Sequence, residues 1–190
     1  NNMCPIINGT PAPTGCTATA MAQVMKFHNW PEKPSKNITW YNNITQKEEI
    51  VNTTSHKYNW TSMLDSYSGG YTTTESDAVA LLMSDVGKAI QSNYALSGTG
   101  STSIDAAQAL VNIFRYSPDI VVANRREYSD EEYIALIVDN LNARQPLVYA
   151  GHGQNFSSGH AFVCDGINAS GYLHINWGWD GSGNGFYALS

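Results

Sequence analysis

Cys16 is the residue whose type and surroundings are best suited to nucleophilic chemistry. It follows Gly15 and opens an alanine-rich segment with helical periodicity, so it is predicted to lie at a helix N-terminus. Unpaired backbone N–H groups at that end favour negative charge and therefore the thiolate. Small neighbours such as Thr14 and Ala18 leave room for a substrate backbone. The alternative is a small buried apolar side chain, because free cysteine is among the most buried residue types.

A thiolate nucleophile needs a base, and His160 is the candidate. It follows Gly159 at the start of a predicted strand, and a hairpin with the next strand brings it beside residues 176–179. An amide there can hold the imidazole tautomer, and the neighbouring indoles can shield that hydrogen bond. The alternative is a core or surface histidine. The chain has three cysteines, so at least one thiol is free and no disulfide framework is possible.

The elements that position these residues change type along the chain. Helices are predicted over 15–28 and over 103–114. A further helix is predicted to begin at an N-cap near Thr74, with Asp77 three residues on, and to run to residue 90. Another is predicted to follow a capping box formed by Ser129 and Glu132. From residue 145 the period changes to two, and strands are predicted over 146–150, 159–167, 171–177 and 185–189. Weaker strand signals cover 38–41, 56–60 and 120–123. The pattern indicates an α+β fold with two lobes.

Composition excludes several classes of protein. The chain has 190 residues, which indicates one domain or two small lobes. Charged residues make up 14%, against about 25% in typical soluble domains, and the net charge is −6. Without a basic cluster, nucleic acid and anionic membranes are disfavoured as partners. The apolar runs are too short to span a bilayer. Few charges and many Asn, Ser and Thr residues favour a secreted protein.

Other motifs carry weaker signals. His160 and Cys164 lie four residues apart on one predicted strand, which separates their Cα atoms by about 13 Å, too far for one zinc ion. We therefore expect no metal and no other cofactor. Cys164 shares a strand face with His160 and is predicted to lie in the core. His152 lies in a predicted loop before the strand that contains His160, and this loop could gate substrate access. The glycine-rich segment 178–185 lacks the lysine of a phosphate-binding loop.

Three sequence blocks follow one another along the chain, Pro13–Lys26, Gly159–Gly166 and His174–Trp179. In this order they resemble the streptopain family of bacterial cysteine peptidases. The order Cys, His, Asn is that of papain-like enzymes, and the Cys16 to His160 separation falls within their window of about 130 to 150 residues. The resemblance implies a papain-like two-lobed fold, with the nucleophile on a helix N-terminus and an antiparallel β C-terminal part. It also implies secretion as a zymogen with an inhibitory propeptide and endopeptidase activity of broad specificity.

The resemblance also implies roles for individual residues. Cys16 would be the nucleophile, His160 its general base and acid, Asn176 the residue that orients the imidazole, and Trp177 a cover over that pair. The cleft, which in this family usually accepts a hydrophobic residue two positions before the scissile bond, would be lined by Gly98, Thr99, Gly100, Ser101 and Gly159. Thr17 stands where the family usually has Val, and Asp180 where Gly is common, and neither departure touches the catalytic pair.

We expect residues 1–190 to form a single peptidase catalytic domain, mainly helical to about 115 and mainly β from about 116. It is expected to lack the propeptide and some terminal segments. The family's oxyanion-hole glutamine lies upstream of the cysteine block, whereas Gln23 and Gln46 lie downstream of Cys16. The Cys16 backbone N–H can still donate, but losing one oxyanion donor costs about 10² to 10³ in rate.

The sequence therefore predicts a bacterial cysteine endopeptidase that acts on protein or peptide substrates. It is expected to be secreted, either extracellular, periplasmic or associated with the cell surface. Two alternatives stay open. One is a catalytically impaired, peptidase-like binding module, which is motivated by the missing glutamine upstream of Cys16. The other is a different thiol acyl transferase, such as an amidase or transpeptidase, built on the same two residues.

Overall fold

The computed structural model describes residues 3–153 and 159–189. The chain divides into two compact units, Asn1–Ile120 and Val121–Ser190, and each has its own set of buried apolar residues. Helices and antiparallel strands both contribute, so the architecture is the α+β mix that the sequence predicts.

Over residues 3–120, the first unit contains three α-helices, which are α1 (Cys16–His28), α2 (Thr73–Ala89) and α3 (Ser103–Asn112). The α1 helix buries Met21, Val24 and Met25, as its apolar periodicity predicts. It ends at Asn29, whose left-handed backbone (φ 48°) lets its N–H return to the carbonyl of Lys26. Burial of this one face fixes the helix whose first residue is Cys16.

The first unit also contains two small antiparallel pairs of strands. These are β1 (Ile6–Ile7) with β2 (Thr10–Pro11), and β3 (Ile38–Asn42) with β4 (Lys47–Val51). The side chains of Ile38 and Trp40 are fully buried, whereas those of Thr39 and Tyr41 alternate to the exposed face. The predicted strand at 38–41 is confirmed. Its partner β4 is not predicted by the sequence, because its charged residues lack a clear apolar alternation.

Three local predictions in the front half of the chain are wrong. The N-cap of α2 is Thr72 with Glu75, not Thr74 with Asp77, because the Glu75 carboxylate accepts from both the N–H and the hydroxyl of Thr72. Residues 56–60 form no strand, and short 3₁₀ turns occupy Thr53–Ser55 and Trp60–Ser62 instead. Residues 120–123 form no strand either, and Val121 and Val122 are exposed.

In residues 121–153 and 159–189, the second unit has one α-helix on a four-stranded antiparallel sheet. The helix is α4 (Asp130–Asn142), and its predicted capping box of Ser129 and Glu132 is confirmed. The sheet has the order β5-β6-β7-β8, formed by Leu147–His152, Gly159–Ile167, Leu173–Asn176 and Gly185–Tyr187. The core contains Tyr133 and Ile137 of α4 together with sheet residues Phe162, Cys164 and Ile175.

The register of this sheet determines where His160 lies. His160 is the second residue of β6 and pairs with Gly151 of β5. On the other side of β6, Val163 pairs with Asn176, the last residue of β7. The chain that leaves β7 at Trp177 therefore runs alongside the start of β6.

Candidate active site

Cys16 is the first residue of α1 and is half-buried. Its neighbour Gly15 occupies the N-cap position, and among the described residues no side chain caps this helix end. The first turn of α1 also contains no acidic residue. The backbone N–H groups of this turn are thus available to an anion, and the helix dipole favours negative charge there. This environment suits both a thiolate and the oxyanion that forms when a thiolate attacks a carbonyl.

Gly15 lets the loop that carries Thr99 approach the nucleophile segment closely. Its backbone has φ 93°, and a Cβ at this position would lie 3.0 Å from the carbonyl oxygen of Thr99. The Thr99 hydroxyl donates to the Pro13 carbonyl at 2.7 Å. At Gly98 and Gly100 an added Cβ would meet no described atom within 4 Å, so there is open space beside this loop. Of the predicted cleft residues in the first unit, Thr99 contacts the segment that leads into Cys16, and half-buried Ser101 lies two residues further on.

The other two cysteines are unsuited to nucleophilic attack. Cys4 is buried, its sulfur lies 3.8 Å from the Thr14 hydroxyl, and burial raises the pKa of its thiol. Cys164 is fully buried in the core of the second unit, as predicted, and burial raises its pKa to about 11. Both thiols stay protonated near neutral pH. Cys16 is thus the accessible thiol of the three.

His160 is oriented by a backbone carbonyl. Its Nε2 lies 2.9 Å from the carbonyl oxygen of Trp177. Because a carbonyl oxygen only accepts hydrogen bonds, Nε2 must carry a proton, and Nδ1 is the basic nitrogen of the neutral ring. The contact therefore determines which nitrogen can exchange a proton with a nucleophile.

Asn176, predicted to orient the imidazole, shapes the turn that presents this carbonyl. Its side-chain oxygen accepts from the backbone N–H of Gly178 at 3.0 Å. Asn184 makes a second contact of this kind, because its side-chain oxygen accepts from the Trp177 N–H at 3.0 Å. The backbone on both sides of the Trp177 carbonyl is held by side-chain amides. The sequence offered no signal for Asn184, which lies in a glycine-rich loop.

Aromatic rings surround His160. Trp179 stacks on the imidazole with centroids 4.9 Å apart, and Trp177 stacks at 6.0 Å. Phe162 lies 6.0 Å from the imidazole and 4.6 Å from the Trp177 ring. These rings shield the hydrogen bond between His160 and the Trp177 carbonyl. The sequence analysis expected such shielding from the indoles of residues 176–179, and the structure adds that the Trp179 ring lies nearer the imidazole than the Trp177 ring does.

Gly159, the predicted cleft residue of the second unit, pairs with His152 across β5 and β6. The His152 ring occupies the space beside it, so a Cβ at residue 159 would lie 3.0 Å from two ring atoms. The structure thus brings His160, Trp177 and Trp179 together, and groups Thr99 with Gly15. Cys16 and His160 lie in different compact units, each described by its own contacts.

Within residues 3–153 and 159–189, no group of three or more His, Cys, Asp or Glu side chains is arranged to hold a metal ion. In the same residues, no helix combines the length and apolar character needed to cross a bilayer.

The sequence pattern of the peptidase C10 family matches residues 1–187. The chain belongs to the peptidase C10 family. It is thus a member of a cysteine peptidase family, as the sequence blocks predicted. Streptopain of Streptococcus pyogenes is 35% identical in an alignment of 189 positions, which covers 95% of this chain and 46% of that protein. The thiol protease/hemagglutinin PrtT of Porphyromonas gingivalis is 35% identical in an alignment of 192 positions, which covers 100% of this chain and 22% of that protein.

Solved structures of C10 peptidases resemble this chain over its whole length. Active interpain A of Prevotella intermedia superposes with a TM-score of 0.91 and 33% identity, covering 100% of this chain and 80% of that one. A prointerpain A fragment from the same organism superposes with a TM-score of 0.90 and 32% identity, covering 100% of this chain and 60% of that one. The chain thus spans about half the length of streptopain and most of active interpain A.

Proposed function

We propose that residues 1–190 form the catalytic domain of a secreted bacterial cysteine endopeptidase. The observation that carries this proposal is a half-buried thiol, Cys16, at an N-terminus of α1 that no described side chain caps, in a chain of the peptidase C10 family. We assign His160 as the general base and acid. The domain is proposed to adopt a papain-like two-lobed fold, mainly helical to about residue 115 and mainly β beyond it.

Hydrolysis proceeds in two acyl-transfer steps. The Cys16 thiolate attacks the peptide carbonyl carbon, and backbone N–H groups at the start of α1 stabilise the resulting oxyanion. The His160 imidazolium gives its proton to the leaving amine as the C–N bond breaks, which leaves a thioester on Cys16. Water then gives a proton to neutral His160 and attacks the thioester, and the departing thiolate is ready for the next cycle.

The hydrogen bond from His160 to the Trp177 carbonyl supports the assignment of proton transfer to His160. With Nε2 donating to the carbonyl, Nδ1 takes up and releases the transferred proton. Asn176 acts by holding the turn that aims this carbonyl, and the indole of Trp177 shields the bond from water. Stacking with Trp179 favours the imidazolium that protonates the leaving amine.

The loop at 98–101 and the backbone of Gly159 are proposed to line the substrate cleft. Without side chains, Gly98 and Gly100 leave space beside this loop for an extended peptide. The family resemblance implies a preference for a hydrophobic residue two positions before the scissile bond. We also propose an inhibitory propeptide, which the similarity to a prointerpain A fragment supports. Export is supported by the composition, in which only 14% of residues are charged.

The proposal is tested with a peptidyl epoxide and a fluorogenic peptide, each with a hydrophobic residue at the second subsite. The wild-type protein should hydrolyse the peptide and take up one label, which mass spectrometry should locate on Cys16. Cys16→Ala should lose both, with hydrolysis reduced by about 10⁴-fold or more. Cys164→Ala is the matched control and should keep labelling and hydrolysis, because its thiol is fully buried.

Each alternative has its own signature in this experiment. Labelling of Cys16 without hydrolysis would support an impaired, peptidase-like binding module. Transfer of the acyl group to an added amine in preference to water would support an acyl transferase. Labelling of Cys16 no faster than that of free cysteine at pH 6 would contradict an activated thiolate.

A further inference from the structure

The side-chain amide of Asn43, which is not among the proposed catalytic residues, holds the start of the loop at residues 95–101. Asn43 follows β3, and its Nδ2 donates to the Tyr94 carbonyl at 2.8 Å. The Tyr94 N–H donates back to Asn43 Oδ1 at 2.9 Å. The amide of Asn43 thus pairs with both backbone groups of Tyr94, much as a neighbouring β-strand would. Because both bonds end on one residue, they fix the position of Tyr94 and not merely its distance from β3.

Tyr94 is anchored on its side-chain side as well. It is 1% exposed, and its ring meets that of buried Trp40 edge-on with centroids 5.7 Å apart. A Cβ at residue 87 would lie 2.2 Å from the Tyr94 hydroxyl, so the Tyr94 ring can pack against α2 only because residue 87 is glycine. The Trp40 indole donates to the Ser92 carbonyl at 3.4 Å. The chain therefore enters the loop from a fixed point in the core of the first unit.

The loop is held at both of its ends. The Asn93 and Gly100 backbones pair at 2.9 and 3.3 Å, which closes the base of the loop. Next to Gly100, the Thr99 hydroxyl donates to the Pro13 carbonyl at 2.7 Å. Asn43 thus holds the start of the loop through Tyr94, Thr99 holds its end, and Gly98 lies between them.

We propose that Asn43 is a positioning residue for peptide binding, acting through Tyr94 on the loop at residues 95–101. This inference rests on the proposed peptidase function. Asn43 touches neither substrate nor reacting atoms in this role. It sets where the loop backbone lies, and misplacement of a binding element by about 1 Å can cost up to about 100-fold in rate.

The experiment compares Asn43→Ala with Asn37→Ala, a matched control at the other end of β3. The Asn37 side-chain oxygen accepts from the N–H and hydroxyl of Thr54, at 3.2 and 3.0 Å, and so makes bonds of the same kind away from the loop. We expect N43A to lower kcat/KM by about tenfold, mainly through a higher KM. N37A should retain wild-type kinetics. Alkylation of Cys16 by iodoacetamide, which needs no cleft, should proceed at one rate in all three proteins.

Asn43→Asp tests whether the donor is required. A carboxylate retains an acceptor for the Tyr94 N–H but places oxygen against the Tyr94 carbonyl. We expect N43D to be as impaired as N43A. Wild-type kinetics in N43D would overturn the proposed pairing with Tyr94.

Thr99→Val gives a second, nearly isosteric way to release the same loop. It should raise KM as N43A does, and the double variant should lose less than the product of the two single losses, because both act on one loop position. Losses that multiply would overturn the inference, and so would equal KM values for N43A and N37A. If N43A does not fold, N43D takes its place in the comparison with N37A.

Failure of the inference and failure of the proposed function give different results. A wild-type protein that neither hydrolyses peptides nor reacts with the peptidyl epoxide contradicts the peptidase proposal. Amide hydrogen exchange still tests the role of Asn43 in that case. N43A should speed exchange at residues 94–101 and N37A should not, and unchanged exchange in N43A would overturn the inference.

Discussion

Each unit of the molecule contains a histidine whose ring is oriented by one oxygen, and the two oxygens differ in kind. In the first unit, His56 Nδ1 lies 2.8 Å from the Asp85 carboxylate. In the second, His160 Nε2 lies 2.9 Å from the Trp177 carbonyl. A proton leaving an imidazolium paired with a carboxylate breaks an ion pair. A neutral carbonyl keeps its hydrogen bond in both protonation states of the ring, so His160 can transfer a proton at Nδ1 without losing its orientation.

The side chains that surround the His56 and His160 rings also differ. The Asp85 side chain is 1% exposed and also accepts from the Tyr58 hydroxyl at 3.0 Å. Burial, reinforced by the adjacent carboxylate, raises the pKa of Tyr58, so its hydroxyl remains a donor. His160 instead lies against the stacked indoles of Trp177 and Trp179. The two histidines thus differ both in the charge of the oxygen that orients them and in the side chains that surround them.

The largest expected effect contrasts the two histidines directly. His160→Ala should lower kcat/KM by about 10⁴-fold or more and leave folding intact, because it removes the proposed proton carrier. His56→Ala should leave kcat/KM per folded molecule near the wild-type value and lower stability instead. Peptide hydrolysis and urea unfolding of both variants measure this. Comparable losses of activity in both would break the distinction.

The second effect concerns the buried carboxylate. Asp85→Ala should lower the free energy of unfolding by about 3 kcal/mol, because Tyr58 and His56 lose their acceptor in a buried position. Asp165→Ala is the control. Asp165 also pairs with a histidine, His174, but its side chain is 38% exposed, so a loss below about 1 kcal/mol is expected. Urea unfolding distinguishes the two, and equal losses would contradict the role assigned to burial.

A smaller effect is expected when the ring that stacks on His160 is removed. Trp179→Ala should reduce kcat/KM by about tenfold, which corresponds to about 1.4 kcal/mol, while changing stability little, because the indole is 55% exposed. Trp30→Ala removes a comparably exposed indole from the first unit and serves as the control. Activity measured across pH should show the loss in W179A alone. Unchanged kinetics in W179A would show that the ring stacked on His160 does not contribute to the difference between the two histidines.

The smallest effect is in the slope of stability against pH. Burial outweighs the contacts with His56, Tyr58 and Lys88, and raises the pKa of Asp85 above its ordinary value. The folded protein therefore holds this proton to a higher pH than the unfolded chain does. The resulting stability is fully present below the unfolded pKa of about 3.9 and is lost as pH rises through the raised folded pKa.

Asp85→Asn removes this titration and keeps a side-chain oxygen for the Tyr58 hydroxyl. We expect the stability of D85N to decline less than that of the wild type as pH rises through this window. Urea unfolding at successive pH values measures the slope, with Asp165→Asn as the reference. Parallel curves for D85N and the wild type would show that the Asp85 carboxyl titrates alike in the folded and unfolded chains.

Elements whose signals are local could be predicted from the sequence. The start of α4 was found because Ser129 and Glu132 satisfy each other's backbone donors within one turn. The same pattern misplaced the start of α2, since Thr72 with Glu75 and Thr74 with Asp77 both fit it. Local pattern identifies candidate caps, and the structure shows that the one that forms is the pair in which the Glu75 carboxylate bonds back to Thr72.

Contacts between distant residues or with the backbone could not be predicted. His56 and Asp85 are joined only because α2 and the preceding segment fold together, and no periodicity relates them. The β4 strand exists because it pairs with β3. The amide of Asn43 holds Tyr94 through backbone groups that every residue possesses, so the sequence contains no mark of the pairing.

The sequence by itself determined which residues are candidates for the proposed site. It contains one thiol at a predicted helix N-terminus, one histidine at the start of a strand, and motif blocks in the order found in a cysteine peptidase family. Only the tertiary structure decided how the histidine is held, because its partner is the Trp177 carbonyl, a backbone group identical in every residue. Side-chain chemistry can be read from residue types, but the position of a backbone acceptor depends on strand register and turn geometry.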